Sequence, residues 1–320
     1  MAYVTGTATG CVDLINKLED FLTTNPTLVA ANQQWVCFKD NEVMPYSRTM
    51  ALDTSGNGMY RFFKGPGNAG TDEVYVNLLL AYNKGSDWYQ IWAMGASRYS
   101  PKNTIQGQFN APVWGGLYNQ WSYMPVWEKA MQYWFIANGR RFIVVVKVSN
   151  NYEVFYGGLF TPTGTDLEYP YPLFIGGSDR LPNRKWSTQD ADSRRGFWVP
   201  QGGNTLDGWS ISKFLTPQGM WMYIANNTSI ATGLPNAYTR PYHGGNYIGK
   251  TFDGLYMLED VTIESDFVSW NTYGTLDGVH RITGYQNSSG NTAVINGDTY
   301  LCIAAAGNEG VNDYAAILLK

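Results

Sequence analysis

The segment from Met131 to Val148 constrains the fold of this chain more than any other stretch. Two apolar runs flank Asn138-Gly139, and Asn-Gly is preferred in two-residue type I′ turns because both turn positions need a positive φ. The segment is therefore predicted to form a β-hairpin. A two-residue turn would place five pairs opposite each other: Ala137 and Arg140, Ile136 and Arg141, Phe135 and Phe142, Trp134 and Ile143, and Tyr133 and Val144.

Both faces of this predicted hairpin are apolar. Opposed residues share a face, so one face carries Met131, Tyr133, Phe135, Phe142, Val144 and Val146, and the other carries Trp134, Ile136, Ile143 and Val145. Each face must be covered, either by a second layer of the same chain or by a neighbouring subunit. The hairpin is thus expected at the centre of a mainly β fold with antiparallel, sandwich-like sheets.

Composition agrees with an all-β chain that buries many rings. Charged residues are only 15% of the chain, whereas about a quarter is usual, and there are 12 Trp and 23 Tyr. Few charges and many rings argue against disorder. A net charge of −4 provides no basic field for nucleic acid. The three cysteines are too few and too scattered for a disulfide framework or a zinc cluster, and are expected to be reduced thiols.

Three regions follow along the chain. Residues 1–50 are predicted to form a leader with one short helix, Val12–Phe21, and a strand, Gln34–Lys39, with Thr9 as a possible helix cap and Asn25-Pro26 as the stop. Residues 51–200 are predicted to form a central β domain and residues 201–320 a C-terminal β domain with a second Asn-Gly hairpin at Asn296-Gly297. The opening residues have no pattern of a signal peptide, and no apolar run is long enough to span a membrane.

Two long segments break the strand pattern. Ser97–Glu128 is polar, contains Pro, Gly and three Trp, and is predicted to leave the sheet before the central hairpin. Asp179–Gly203 has several arginines beside aspartates and is predicted to be an exposed loop.

Several long blocks of sequence resemble virion structural proteins of tailed bacteriophages with contractile tails. The blocks are Tyr133–Val148, Glu168–Ser178, Leu276–Val279, Asn296–Tyr300 and Asn312–Tyr314, and the opening helix with its Thr-Asn-Pro-Thr stop is similar too. The resemblance covers most of residues 1–180 and about 270–320. The least similar part is about 179–270, where a function individual to this chain could lie.

This resemblance implies a non-enzymatic component of a phage particle, near the neck or collar or elsewhere on the tail. Its partners would be further copies of itself, in a ring or sleeve with threefold or sixfold symmetry, and other neck or tail proteins. The protein would be assembled in the bacterial cytoplasm and end in the virion. The resemblance implies no catalytic residues and no cofactor. The alternative is a peripheral receptor- or carbohydrate-binding protein of the fibre or adhesin type.

Motifs that could carry enzyme chemistry lack their structural context. Gly244–Thr251 fits the phosphate-binding pattern G-x4-G-K-T, but no buried strand precedes it and a β-like run follows. His243 and His280 are the only histidines, and no G-x-S-x-G elbow occurs. The remaining candidates are weak: Glu264 with Asp266 as paired carboxylates, and Asp190 with Asp192 as a fragment of a calcium loop. No catalytic residue, cofactor or metal is predicted.

An aromatic cluster in the excursion is the main candidate site. Its members are Trp114, Tyr118, Trp121, Tyr123 and Trp127. Three interpretations stay open: a buried core, an intersubunit contact, or a platform for sugar rings. The position outside the strand pattern favours the intersubunit contact, so these five residues are the predicted assembly interface.

Overall fold

The computed structural model describes residues 1–39, 46–52, 55–67, 73–103, 108, 121–165, 168–188, 194–199, 212–224, 237–240, 249–265, 271–306 and 310–320. The chain is mainly β, with antiparallel sheets and short helical segments near the N-terminus, which confirms the predicted fold class. The division at residues 50 and 200 stays a prediction.

The helices and strands have the following bounds in chain order. The helices are α1 (Cys11–Thr24) and α2 (Pro26–Ala30). The strands before residue 150 are β1 (Ala2–Ala8), β2 (Val36–Phe38), β3 (Ser55–Gly65), β4 (Val74–Asn83), β5 (Trp88–Ala96), β6 (Ser122–Val126), β7 (Met131–Ala137) and β8 (Arg141–Val148). The later strands are β9 (Asn151–Leu159), β10 (Thr161–Pro162), β11 (Leu173–Gly176), β12 (Ser212–Leu215), β13 (Trp221–Ile224), β14 (Ala237–Arg240), β15 (Glu259–Ser265), β16 (Asn271–Ile282), β17 (Thr292–Ile295), β18 (Asp298–Ala304) and β19 (Tyr314–Leu318).

Helix α1 begins and ends much as predicted. Gly10 occupies the N-cap position, while Asp13 accepts hydrogen bonds from the main-chain N–H of Thr9 (2.8 Å) and from its hydroxyl. Thr9 is therefore a partner of the first turn and not the cap itself. Asn25 ends α1, and its side-chain oxygen accepts from Thr27 N (3.0 Å), which caps the short helix α2. Buried apolar residues on one side of α1 attach it to the sheets.

The small sheet is a five-stranded meander in the order β2-β3-β4-β5-β6. Its last strand corrects the prediction that Ser97–Glu128 leaves the sheet, because Tyr89 pairs with Val126 and Ala93 with Ser122. The sequence pattern did not predict this strand because it contains Pro125, a residue type that is uncommon in strands. Within the described part of the chain β6 is the last strand of this sheet, with one isolated bridge from Tyr123 to Asp179, and proline is tolerated in an edge strand, where its missing N–H need not join a ladder.

The large sheet is fourteen-stranded, in the order β1-β7-β8-β9-β11-β12-β13-β14-β15-β16-β19-β18-β17, with β10 paired to β16. Its pairings are antiparallel except for β13 with β14. The sheet folds over itself, because apolar residues of β7–β9 and of β15, β16, β18 and β19 meet in one core.

The central hairpin has the predicted faces but a different register. Phe135 pairs with Val144 and Ala137 with Phe142, two residues away from the predicted partners. Neither Asn138 nor Gly139 has the positive φ of a type I′ turn. Instead, the Asn138 side-chain oxygen accepts from the main-chain N–H groups of Arg140 (2.8 Å) and Arg141 (3.0 Å). A shift by two residues returns each side chain to the same face, so the face assignment is unaffected.

Neighbouring segments explain why the turn differs. Trp35 Nε1 donates to the carbonyl oxygen of Asn138 (2.8 Å), and Gly67 N donates to that of Gly139 (2.8 Å). A Cβ on Gly139 would lie 2.9 Å from Pro66 Cγ, closer than such atoms approach. These tertiary contacts override the local preference of Asn-Gly. At Asn296-Gly297 the turn residues do have positive φ (53° and 93°), as predicted, and Ile295 pairs with Asp298.

The same chain covers both faces of the hairpin. Tyr133, Phe135 and Phe142 lie in a first core, together with α1 and strands of the small sheet. Trp134 and Ile143 lie in a second core with the C-terminal strands. The hairpin is thus the middle of three layers, and no neighbouring subunit is needed to cover it.

The segment after β11 is not the exposed loop that was predicted. Asp179 and Arg194 are fully buried, and the Arg194 guanidinium donates a hydrogen bond to the carboxylate of Glu153 on β9. Ser178 Oγ donates to the other oxygen of Glu153 (2.6 Å). A signal was present in the sequence, because Glu153 interrupts an apolar strand that is buried on both faces and must find a partner there.

Candidate functional site

The structure places the described members of the predicted aromatic interface in two different clusters. Trp114 and Tyr118 lie outside the described residues. Trp121 and Tyr123 are buried on the outer face of the small sheet, with ring centroids 6.0 and 5.4 Å from that of Trp92. Trp127 is partly buried against Trp186 (5.2 Å). For Trp121 and Tyr123 this favours the core interpretation, while an assembly role for the group as a whole stays a prediction.

Exposed apolar residues lie elsewhere, on the hairpin of residues 249–257 and at Tyr285, whose neighbour Gln286 binds the base of that hairpin. They are Phe252, fully exposed, with Leu255, Met257 and Tyr285, each half exposed or more. These four residues are called the hairpin patch below. Isolated apolar residues are common on protein surfaces, whereas a group of large ones marks a site where other molecules bind.

Hydrogen bonds hold the tip of this hairpin. Thr251 N donates to Leu255 O (2.8 Å) and Gly254 N donates to Thr251 O (2.9 Å), with Gly254 at a φ of 84° that favours glycine. The turn leaves Phe252 pointing into solvent. Asp253-Gly254 was a turn signal, and the large apolar residues on both sides of it could have identified the patch from sequence.

The base of the hairpin is anchored to the C-terminal strands. Lys250 Nζ lies 4.3 Å from the centroid of the Tyr256 ring and donates to Gln286 Oε1 (2.9 Å). The Tyr256 hydroxyl donates to the carbonyl oxygen of Gln286 (2.8 Å). Tyr256 and Leu258 also pack on a small apolar cluster around Ile282. Since the hairpin is already ordered, a partner that binds the patch has less conformational entropy to remove.

These contacts also bear on the phosphate-binding pattern, of which residues 249–251 are described. Lys250 is engaged with Tyr256 and Gln286. Thr251 opens a tight turn where a phosphate-binding loop would continue into a helix. Lys250 and Thr251 therefore stabilise the hairpin, and the described part of the pattern does not have the loop-to-helix geometry of a phosphate-binding site.

The two end strands of the large sheet are a second feature relevant to assembly. Among the described residues, β1 pairs with β7 and β17 pairs with β18, and each is the last strand on its side. Val294 on β17 is 71% exposed and Tyr3 on β1 is 38% exposed. Strands at a sheet edge present unpaired main-chain groups that can pair with another chain.

A cleft of about 500 Å³ opens at one end of the small sheet. Three tyrosines line it together with charged residues, and it is called the tyrosine cleft: Glu73, Tyr75, Arg98, Tyr99, Pro170 and Tyr171. Lys64 Nζ donates to Glu73 Oε1 (2.6 Å) and the Tyr75 hydroxyl donates to Glu73 Oε2 (2.6 Å). The hydrogen bond from Lys64 lowers the pKa of Glu73 below its usual value, so this carboxylate is ionised at neutral pH.

The other sequence candidates that lie in the described part of the chain, His280 and Glu264, do not converge. His280 Nδ1 lies 2.9 Å from Asp260 Oδ1 on the surface. Glu264 is partly buried on β15, while His243, Asp190, Asp192 and Asp266 lie outside the described residues. Within the described part of the chain, no three His, Cys, Asp or Glu residues are grouped as metal ligands. Neither helix there has the length and apolar character of a membrane-spanning helix.

Known families assign no role to these surfaces, since comparison with protein-family models and with curated proteins gives no match. The physical properties of the surfaces are what bears on function. The hairpin patch is apolar, exposed and anchored, and these properties are shared by sites at which proteins bind other proteins.

Proposed function

We propose that this chain is a non-enzymatic structural component of a tailed bacteriophage particle, in which many copies form a ring or sleeve at the neck, collar or tail. The blocks of sequence that resemble contractile-tail virion proteins support this role. Other neck or tail proteins would be its further partners, and its final location would be the virion, after assembly in the bacterial cytoplasm.

The hairpin patch is the observation that carries the assembly proposal. Burying a large apolar side chain stabilises a contact by about 1.5–3 kcal/mol, and Phe252 and Leu255 have most of their surface to lose. One such contact is weak. In a closed ring each subunit makes the contact twice, and the symmetry of the ring multiplies it.

The end strands fit the same proposal. A ring requires a head-to-tail interface, in which two different surfaces of the chain meet. β1 and β17 are different strands at opposite ends of one sheet. Either could extend the sheet into a neighbouring copy.

Two measurements test the proposal. The mass of the purified protein, measured by analytical ultracentrifugation from low to high micromolar concentration, is expected to rise to a defined oligomer. Antibody fragments against the chain are expected to label the neck or tail of intact particles in electron micrographs. A monomer at every concentration, together with unlabelled particles, would contradict the proposal.

The alternative role is a peripheral receptor- or carbohydrate-binding protein of the virion. The tyrosine cleft favours it, because aromatic rings beside polar groups are typical of sites that bind small polar ligands. Binding of the purified protein to polysaccharide from host cells is the measurement that supports this role.

A further inference from the structure

The geometry points to the tyrosine cleft as a binding site for a neutral saccharide, with a pyranose ring against the tyrosine rings and its hydroxyls bonded to Glu73 and Arg98. This inference rests on the peripheral binding role and is independent of assembly.

The first element of the site is a fixed acceptor. A carboxylate has about four acceptor positions, and Lys64 and Tyr75 each occupy one on Glu73. The Glu73 side chain is 39% exposed, so its remaining positions can face a ligand. Because both existing partners fix the orientation of the carboxylate, a sugar hydroxyl would find the acceptor already in place.

The second element is a pair of oriented rings. Tyr99 stacks on Phe38 with centroids 4.1 Å apart and planes 5° apart, and Phe62 contacts its ring edge-on (5.2 Å). Tyr75 is also nearly parallel to Phe38, at 6°. Tyr75 and Tyr99 therefore have similar orientations at the cleft. The flat apolar face of a pyranose suits such rings, while its hydroxyls stay free for polar groups at the side.

The third element braces the cleft. The Tyr171 hydroxyl donates to the carbonyl oxygen of Glu73 and lies 3.2 Å from that of Ala96. It thereby connects the start of β4 with the end of β5. The wall of the cleft is held by three parts of the chain, which is the rigid support that a binding site needs.

Charge distinguishes between classes of ligand. Lys64 and Arg98 are cationic and Glu73 is anionic. A ligand anion would therefore be repelled by Glu73, and a ligand cation would be repelled by Arg98. A purely apolar ligand would take the Lys64–Glu73 pair out of water without replacing its hydration. A neutral polyol satisfies both donors and acceptors. The cleft volume also lies within the range of about 300–1,000 Å³ that is usual for small-ligand sites.

Glycan-array binding and saturation-transfer NMR with the full chain test this inference, with neutral oligosaccharides from host surface polysaccharides as probes. Tyr75→Ala and Arg98→Ala are each expected to weaken binding by about tenfold. Tyr75→Phe keeps the ring but removes the hydroxyl that orients Glu73, so it should weaken binding less than Tyr75→Ala does. Val29→Ala, which removes an exposed apolar side chain of α2 that does not line the cleft, is the control and should bind as the unmodified chain does.

The outcomes separate the inference from the role on which it rests. Glycan binding that survives Tyr75→Ala and Arg98→Ala overturns the cleft as the site but leaves the peripheral binding role intact. Absence of glycan binding at millimolar concentration overturns both. A preference for acidic ligands overturns the assignment of a neutral saccharide. Thermal unfolding of each variant shows that lost binding is not lost folding.

Discussion

Glu153 accepts a hydrogen bond from the guanidinium of Arg194 while both residues are completely buried. The pair attaches β9, in the middle layer, to the segment that follows β11. Arg194 Nη1 also donates to the carbonyl oxygen of Thr188 (3.0 Å). Each buried charge is compensated by its partner, so removal of one residue leaves the other charge buried without this counter-charge.

Breaking this pair from one side is expected to be costly. Glu153→Leu or Arg194→Met alone should lower the free energy of unfolding by about 3–5 kcal/mol, and the double variant should lose less than either single variant. Urea denaturation followed by tryptophan fluorescence measures these values. Lys185→Ala, which removes the partner of Asp87 in a surface ion pair, is the control and should cost at most about 1 kcal/mol. Additive losses in the double variant would contradict the coupling.

Asp179 gives the stability a dependence on pH. Burial raises its pKa from 3.8 to about 7. Between these values the folded chain holds a proton that the unfolded chain has lost, so the contribution of Asp179 is fully present below pH 3.8 and is lost as the pH rises through 7. Asp179→Asn should flatten the fall in stability between pH 4 and 7, measured by urea unfolding across that range. Asp253→Asn, at an exposed residue, should leave the fall unchanged.

The turn at Asn296-Gly297 requires glycine for its backbone alone. Gly297 has a φ of 93°, and a Cβ there would meet nothing within 4 Å. Gly297→Ala should therefore lower stability by about 1–2 kcal/mol through backbone strain. Gly249→Ala is a matched control, because its Cβ also meets nothing within 4 Å and its φ is ordinary. Equal thermal unfolding temperatures for the two variants would count against this account.

The hairpin patch should govern self-association. Phe252→Asp combined with Leu255→Asp places charges where the proposed interface excludes water. The Kd of the oligomer is therefore expected to rise at least about tenfold. Mass photometry across concentrations measures this change. Val29→Ser removes an exposed apolar residue of α2 and should leave the mass distribution unaltered. An unchanged oligomer in the double aspartate variant would place the interface elsewhere.

The three cysteines should be protected while the chain is folded. Cys11, Cys37 and Cys302 are buried, and burial raises the pKa of Cys11 and of Cys37 to about 12. The thiolate is the reactive form, so a disulfide reagent at pH 8 should modify the folded chain very slowly. Addition of denaturant should release all three thiols at once. Rapid modification of the native chain would show that a cysteine is accessible.

Sequence patterns identified which residues share a face of the central hairpin but not which residues pair across its two strands. The alternation around Phe135 and Ile143 assigned both faces of the central hairpin correctly, because burial depends on the period of two. The register depended on Asn138-Gly139, whose turn is set by Trp35 and Gly67 from distant parts of the chain. Such contacts have no local signature in the sequence.

The functional surfaces were harder to predict for a related reason. Trp121 lies in a Pro/Gly-broken segment, which favoured an interface role, and in the structure it packs beside Trp92 on the small sheet. Phe252 and Tyr285 are distant in sequence, and hydrogen bonds from Lys250 and Tyr256 to Gln286 attach the hairpin beside Tyr285. The tyrosine cleft likewise joins residues about 100 positions apart, Glu73 and Tyr171. Tertiary contact creates these sites.

The middle layer of the fold belongs to both cores, through Phe135 on one side and Trp134 on the other. Neither core can come apart while the other stays intact, since each loses a wall when the hairpin leaves. The protein should consequently lose its structure as one cooperative unit, and a lesion in one core should be transmitted to the other through a single pair of strands.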